Sequence, residues 1–160
     1  MAIVYLALGA NLGNKREQLL IAIKHLTEKA GKIPAFSDFY ETTPRGYRSP
    51  NLYLNAAVQL ETSLSPHELL AATQQIEHEL GRTAKSKGRH YADRTIDIDI
   101  LMYDELILQT PDLVLPHQLM HERLFVLQPL AEIAPELQHP VLKKTIATLF
   151  NDLKCNTPSY

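Results

Sequence analysis

Asp97-Ile98-Asp99-Ile100, inside the longer run Arg94-Thr95-Ile96-Asp97-Ile98-Asp99-Ile100-Leu101, alternates carboxylate with isoleucine. A period of two is the signature of a half-buried β-strand. On such a strand the isoleucines enter a core. Asp97 and Asp99 then share the opposite face, roughly 7 Å apart at ~3.3 Å rise per residue. Folding alone gives no reason to set two like charges side by side on a rigid surface, and their repulsion opposes it. A divalent cation removes the objection, because hard carboxylate oxygens suit Mg²⁺ held together with substrate phosphates. The stretch leading into the strand carries Arg82, Lys85, Lys87, Arg89, His90 and Arg94. Guanidinium forks take phosphate oxygens two at a time, and a basic loop can close over a nucleotide. The combination favours a nucleotide-handling site over a merely solvated strand face beside an exposed charged loop.

The basic stretch is a local feature, since the 160-residue chain as a whole has a net charge of −2. That balance gives no general attraction to nucleic acid or to an anionic membrane. The length predicts one domain, residues 1–160, large enough to bury about two thirds of its unfolded surface. The single cysteine, Cys155, excludes an internal disulfide and fits a reducing cytosol. The N-terminal Ile3-Val4-Tyr5-Leu6 is strand-like and lacks the basic and long apolar regions of a signal peptide. No apolar run is long enough to span a bilayer. The expectation is a cytoplasmic monomer acting on small molecules, with neither nucleic acid nor membrane as partner.

Along the chain, residues 2–9 read as a strand that ends in the turn Gly9-Ala10-Asn11-Leu12-Gly13-Asn14. Asn14 caps a helix from Lys15 to about Ala30 with Leu19, Leu20, Ile23 and Leu26 as its apolar stripe, and Gly31 stops it. Ala35–Glu41 reads as a second strand, followed by a loop with Pro44, Gly46 and Pro50. Tyr53–Thr62 is a third. Ser65 as N-cap, Pro66 at N1 and Glu68 at N3 form a capping box for a second helix. Its stripe is Leu69, Leu70, Thr73, Ile76 and Leu80, and Gly81 ends it. After the Asp strand, a hairpin at Asp104-Glu105 is expected to lead into Leu106-Ile107-Leu108. The rest is punctuated by Pro111, Pro116, Pro129, Pro135 and Pro140, with short helices near 121–127 and 146–153. The order predicts an α+β protein with a ferredoxin-like βαββαβ core: a mainly antiparallel sheet, helices on one face, and a Pro-rich C-terminal extension. A ligand is expected on the sheet face away from the helices.

Other residues admit two readings each. The Gly9–Asn14 turn could bind phosphate at a helix N-terminus, but it lacks the Walker pattern and is not GxGxxG, so helix capping explains it better. Tyr53 and Asn55 fall on one strand face. A ring beside a carboxamide suits a planar heterocycle, by stacking and by paired donor and acceptor; a surface tyrosine on an ordinary strand is the alternative. His117 is a phosphate contact or a turn residue, and His121 a surface residue at a helix start. No His/Cys pattern has zinc spacing, and no Ser, Cys and His arrangement suggests a nucleophile.

Taken together, Gly9-Ala10-Asn11-Leu12-Gly13, Tyr40-Glu41-Thr42, Tyr53-Leu54-Asn55-Ala56, Ile76-Glu77 with Gly81-Arg82, the Arg94–Ile100 run, and Pro116-His117 followed by His121-Glu122-Arg123-Leu124-Phe125 are specific. Over nearly its whole length the chain resembles the 6-hydroxymethyl-7,8-dihydropterin pyrophosphokinases of folate biosynthesis. The resemblance implies transfer of the pyrophosphoryl group of ATP to the hydroxymethyl group of a reduced pterin, with AMP released. It also implies a ferredoxin-like fold, ATP as co-substrate and two Mg²⁺ ions. By the same resemblance Asp97 and Asp99 would hold both metals, and Arg82 and Arg94 would act on the ATP phosphates. Gln74, Glu77, Ile100, His117 and Arg123 would help to bind ATP. Tyr53 and Phe125 would sandwich the pterin and Asn55 would read its edge, with further contacts from Thr42, Thr43 and Arg45.

The chain departs from the family's usual pattern in places. Tyr91-Ala92-Asp93 stands where Trp-Gly-Pro is common before Arg94, Gln118 where proline is frequent, and Asp112 where some members have arginine. Two other classes fit parts of the residue pattern. A palm-like nucleotidyltransferase would use the same carboxylate pair and release inorganic pyrophosphate. A non-catalytic ferredoxin-like RNA module would need a Lys/Arg-Gly-aromatic run that the sequence lacks.

Overall fold

The computed structural model describes residues 1–11, 13–42, 52–81 and 96–156. Its elements are β1 (Ala2–Ala10), α1 (Lys15–Lys29), β2 (Lys32–Phe36), β3 (Tyr40–Thr42), β4 (Tyr53–Thr62) and α2 (Pro66–Glu79). They are followed by β5 (Asp97–Tyr103), β6 (Leu108–Gln109), β7 (Val114–Leu115), α3 (Leu124–Ile133) and α4 (Ile146–Asn156). The caps form as local chemistry dictates. Asn14 Oδ1 accepts from Glu17 N at 3.1 Å. Ser65 Oγ accepts from Glu68 N at 3.2 Å while the Glu68 carboxylate accepts from Ser65 N at 2.8 Å, which completes the capping box.

The main sheet has the order β2-β4-β1-β5, with β3 also on β4, and every pairing is antiparallel. Two βαβ crossovers, β1-α1-β2 and β4-α2-β5, interleave to give this order, which is the ferredoxin-like arrangement. The alternate residues Val4, Leu6 and Leu8 of β1, Ala56, Val58 and Leu60 of β4, and Ile98 and Ile100 of β5 point to one face. There they pack with Leu19, Ala22 and Leu26 of α1 and Leu69 and Ile76 of α2. The isoleucines of the Asp-Ile alternation therefore lie in the core, as the period of two requires.

Several expectations are corrected. The two core helices, α1 and α2, share one face as expected, but the C-terminal extension adds a second helical layer on the other. Leu127 and Leu130 of α3 and Leu149 of α4 form a second buried cluster with Ala57, Leu101 and Met102, and Tyr5 and Ala7 pack against it. The sheet face away from α1 and α2 is thus covered over its middle, and among the described residues a ligand is left the end nearest Gly9. The expected Ala35–Glu41 strand is broken between β2 and β3. Ser37 Oγ accepts from Ala57 N at 2.9 Å, and both Glu132 oxygens accept from Asp38 N at 3.1 Å. These long-range partners bend the chain where local alternation would have continued it. The hairpin is also different: Leu108 and Gln109 pair with Leu115 and Val114 instead of returning onto β5. Leu106 and Ile107 are left exposed.

The helix expected over 121–127 begins later and runs on through Pro129 to Ile133, preceded by a short 3-10 turn at Met120–Glu122. Proline lacks the N–H that an interior turn needs. Here burial of Val126, Leu127, Pro129 and Leu130 together outweighs that loss. α4 extends three residues beyond the expected 153. Leu20, placed in the α1 stripe by its spacing, is exposed, and Ala22 is buried in its stead.

Candidate active site

The register of the sheet aligns the residues of interest. Gly9 pairs with Asn55 on one side and with Asp97 on the other, and Asn55 pairs in turn with Tyr40. Ala7 lies likewise between Ala57 and Asp99. Directly opposed residues of antiparallel strands point to the same side. Asp97, Gly9, Asn55 and Tyr40 therefore form one transverse row, and Asp99, Ala7 and Ala57 the next. Both rows lie on the face away from α1 and α2, the second at the margin of the cluster that α3 and α4 cover. Asp97 and Asp99 are half-buried.

Asn55 is a buried polar side chain. Its Nδ2 donates to Thr42 Oγ1 at 2.7 Å, so β3 fixes the amide plane. Tyr53, two residues earlier, shares its face. Phe125, at the start of α3, packs against the cluster that holds Ala7 and Ala57. The guanidinium of Arg123 lies 5.6 Å from the Phe125 ring centroid, a cation-π distance. α3 is tied to the strands beneath it by Glu132, which also accepts from the Tyr40 hydroxyl. That hydrogen bond, with burial and the neighbouring Glu132 and Asp38 charges, pushes the Tyr40 pKa up to about 12.

A cavity of about 300 Å³ opens at the free edge of β5. Leu70, Ile98, Ile100, Leu113 and Val114 give it apolar walls, and Asp99, Asp112 and His117 give it polar ones. Ile98 N donates to Glu77 at 2.7 Å and His117 N donates to Leu101 O at 2.8 Å. By strand alternation the Ile100 N–H faces outward as Ile98 N–H does, toward the cavity. His117 Nδ1 accepts from Leu119 N at 3.2 Å, so a neutral ring carries its proton on Nε2. Burial, then the Arg123 charge, hold its pKa below the usual histidine value, against the opposing pull of Asp97. At the rim Asp112 sits below the usual carboxylate range through hydrogen bonds from Thr110 and His67.

Placed against the expected site, Asp97, Asp99, Asn55, Thr42 and Tyr53 come together on one sheet end. Ile100 and His117 line the adjoining cavity. Glu77 is buried and braces β5 through Ile98 N, while Gln74 is exposed on α2. Arg82, Arg94, Thr43 and Arg45, and with them Lys85, Lys87, Arg89, His90 and Asp93, lie outside the described residues. Nothing in the sequence marks Leu70, Leu113 and Val114 as cavity walls. Leu70 reads as helix stripe, and the β6–β7 pair has no alternation long enough to announce it.

A cation at Asp97 and Asp99 fits the donor set. Among the described residues there is no group of three or more His, Cys, Asp or Glu able to hold a metal alone. Two carboxylates suffice for Mg²⁺, which keeps water and takes further oxygens from a phosphate chain. A site of that kind needs the nucleotide to complete it, and the cavity adjoins it at Asp99.

His117 and His139 make stability depend on pH. His139 Nδ1 accepts from Val141 N at 3.2 Å and Leu142 N at 3.0 Å, and burial followed by the nearby His121 lowers its pKa. Both rings are held neutral in the fold, while in the unfolded chain they take a proton near the ordinary value of 6.5. The unfolded state therefore binds more protons in the window just below 6.5, and stability is lost as pH falls through it. The thermal midpoint is expected to drop between about pH 7.5 and pH 5.5, before most carboxylates titrate. His139→Asn, whose amide oxygen can accept without titrating, is expected to drop less over the same range. A flat profile in the unmodified protein contradicts the assignment.

Comparison with known proteins gives consistent matches. The family model described as 7,8-dihydro-6-hydroxymethylpterin-pyrophosphokinase (HPPK) matches residues 5–135. A 2-amino-4-hydroxy-6-hydroxymethyldihydropteridine pyrophosphokinase of Porphyromonas gingivalis is 50% identical over 141 residues, 88% of this chain and 95% of that one. The protein of the same name from Bacillus subtilis is 44% identical over 137 residues, 85% of this chain and 80% of that one. A solved Plasmodium falciparum HPPK-DHPS with pteroate superposes with a TM-score of 0.76 at 20% identity. It covers 94% of this chain and 42% of that longer one, and so shares the fold.

Proposed function

The chain belongs to the 7,8-dihydro-6-hydroxymethylpterin-pyrophosphokinase family, and from that we propose how its residues carry out the reaction of that family in folate biosynthesis. The enzyme transfers the pyrophosphoryl group of ATP to the hydroxymethyl group of 6-hydroxymethyl-7,8-dihydropterin and releases AMP. The single observation that carries the assignment of the site is the transverse row, which sets Asp97 and Asn55 either side of Gly9.

In this reading the cavity at the edge of β5 takes the adenine. Its apolar walls cover the ring faces, and the outward Ile100 N–H meets the base edge. Gln74, Glu77 and Arg123 complete the ATP site, and His117 offers an uncharged Nε2–H donor beside the triphosphate. The pterin lies at the sheet end, between Tyr53 and Phe125, with Asn55 hydrogen-bonded to its edge and Thr42, Thr43 and Arg45 around it. Asp97 and Asp99 would hold the two Mg²⁺ ions expected with ATP. Bound there, Mg²⁺ neutralises phosphate charge and lowers the pKa of a nearby hydroxyl. Arg82 and Arg94 supply bidentate contacts to the phosphoryl oxygens. The remaining contribution of the chain is positional: the rigid strands β1, β4 and β5 hold pterin and nucleotide in line for attack. Among the described residues no helix is long and apolar enough to cross a membrane, and we place the enzyme in the cytoplasm as a monomer of one domain.

Incubation of the protein with ATP, Mg²⁺ and the hydroxymethyl-dihydropterin tests the reading. Chromatography is expected to show AMP and the pterin diphosphate in equal amounts. Release of inorganic pyrophosphate in place of AMP would overturn it in favour of a nucleotidyltransferase.

A further inference from the structure

Gly9 is a glycine that the backbone does not require. Gly13, Gly31 and Gly81 have φ of 65°, 157° and 107°, where other residues are strained, whereas Gly9 is absent from the positive-φ positions of the chain. It sits inside β1 with strands paired on both sides. A glycine in such a place weakens a strand, and it marks a close approach by something else. The neighbour is specific. A Cβ on Gly9 would lie 3.1 Å from Asn55 Oδ1 and 3.6 Å from Tyr53 Cδ1.

The nitrogen of the Asn55 amide is anchored on Thr42 Oγ1 at 2.7 Å, and its oxygen stands so close to the place of a Gly9 Cβ that a side chain there would push it aside by a few tenths of an ångström. We propose that Gly9 is a specificity-determining residue of the pterin subsite. Its missing side chain leaves the Asn55 acceptor oxygen in the position that the Thr42 anchor sets, and keeps clear the floor between that oxygen and Asp97. Asn55 and Asp97 are two strands apart, roughly 10 Å at the usual interstrand spacing. That span suits a two-ring heterocycle read by its N–H edge at Asn55, with its one-carbon arm reaching the carboxylates. This inference rests on the pyrophosphokinase reading and adds to it a residue that touches neither nucleotide nor metal.

Gly9→Ala tests it. The added methyl group displaces the Asn55 oxygen, so the pterin KM and Kd are expected to rise about tenfold, since small misplacements of a positioning group have large effects. The ATP KM is expected to stay within twofold, and the thermal midpoint not to fall. In an Asn55→Ala background the same change is expected to add less than twofold, because the clash partner is gone. An unchanged pterin Kd in the single variant would overturn the proposal, as would an equal rise in both backgrounds. Should Gly9→Ala fail to fold, Gly9→Ala with Asn55→Ala is expected to melt with Asn55→Ala alone, and failure of that double variant to fold also overturns it. A failure of the reaction itself would show in the unmodified enzyme as no AMP, separately from any change in pterin Kd between variants.

Discussion

Asp99→Asn and Asp97→Asn are each expected to lower AMP formation by about a thousandfold or more while leaving the fold intact. The magnitude follows from the several kcal/mol of charge stabilisation that a bound metal ion supplies at a phosphoryl group, at 1.36 kcal/mol for each factor of ten. Asparagine keeps the shape of aspartate and most of its hydrogen-bonding capacity, but it is a poor ligand for Mg²⁺. Steady-state AMP release measures the loss, and circular dichroism of the same preparations checks that the fold survives. Turnover within tenfold of the unmodified enzyme would remove the carboxylates from the metal site.

Gly31→Ala is expected to be far more damaging than the same change at Gly13. Gly31 follows α1, and its N–H shares the Leu26 carbonyl with Ala30 N–H, at 3.2 and 2.8 Å. The buried Thr62 hydroxyl at the end of β4 donates to Ala30 O at 2.6 Å, which ties the turn to the sheet. A Cβ on Gly31 would stand 2.0 Å from the Glu61 carbonyl oxygen and 3.1 Å from Thr62 Cα. Both are backbone atoms of a central strand, so no side-chain rotation relieves the overlap, and the α1–β2 connection must move. A destabilisation of about 3 kcal/mol or more is expected. For a domain of this size that is a drop of roughly 6–12 °C in the thermal midpoint. Gly13→Ala makes the contrast. Its φ of 65° is also unfavourable for alanine, but nothing lies within 4 Å of the added atom. The strain of that conformation alone, about 1–2 kcal/mol, is expected there. Equal effects at the two positions would contradict the packing argument.

The elements that the sequence announced are those decided by neighbours in the chain. Ser65 with Glu68 and Pro66 marks the start of α2, Asn14 marks that of α1, and the Asp-Ile alternation marks β5 and its buried face. Those signals act over three or four residues and survive in the fold. What could not be read depended on distant partners. The break at Ser37 exists because Ala57 and Glu132 hold that turn, and neither is near in sequence. The second helical layer was hidden because its sheet contacts, Tyr5, Ala7, Ala57, Leu101 and Met102, are spread over three strands and form no continuous alternation on any of them. Pro129 read as a stop, although burial on several sides carries α3 through it.

The site divides in the same way. Asp97, Asp99, Tyr53 and Asn55 were visible as pairs two residues apart. That the two pairs belong to one surface follows only from the register of β1 between β4 and β5. The place of Gly9 was similarly invisible. As sequence it is the first residue of a glycine-containing turn; in the sheet it is the position of β1 that pairs with Asn55 on one side and Asp97 on the other. Sheet register, a long-range property, is therefore what turns a list of polar residues into a candidate site.

Joint binding of divalent metal and triphosphate at Asp97 and Asp99 is tested most directly by counting Mn²⁺ bound to the protein, by electron paramagnetic resonance, with and without a non-hydrolysable ATP analogue. Weak binding by the protein alone, two tightly held ions per chain with the analogue, and loss of both in Asp97→Asn with Asp99→Asn are expected. Equal Mn²⁺ binding by the double variant and the unmodified protein, with the analogue present, would contradict it.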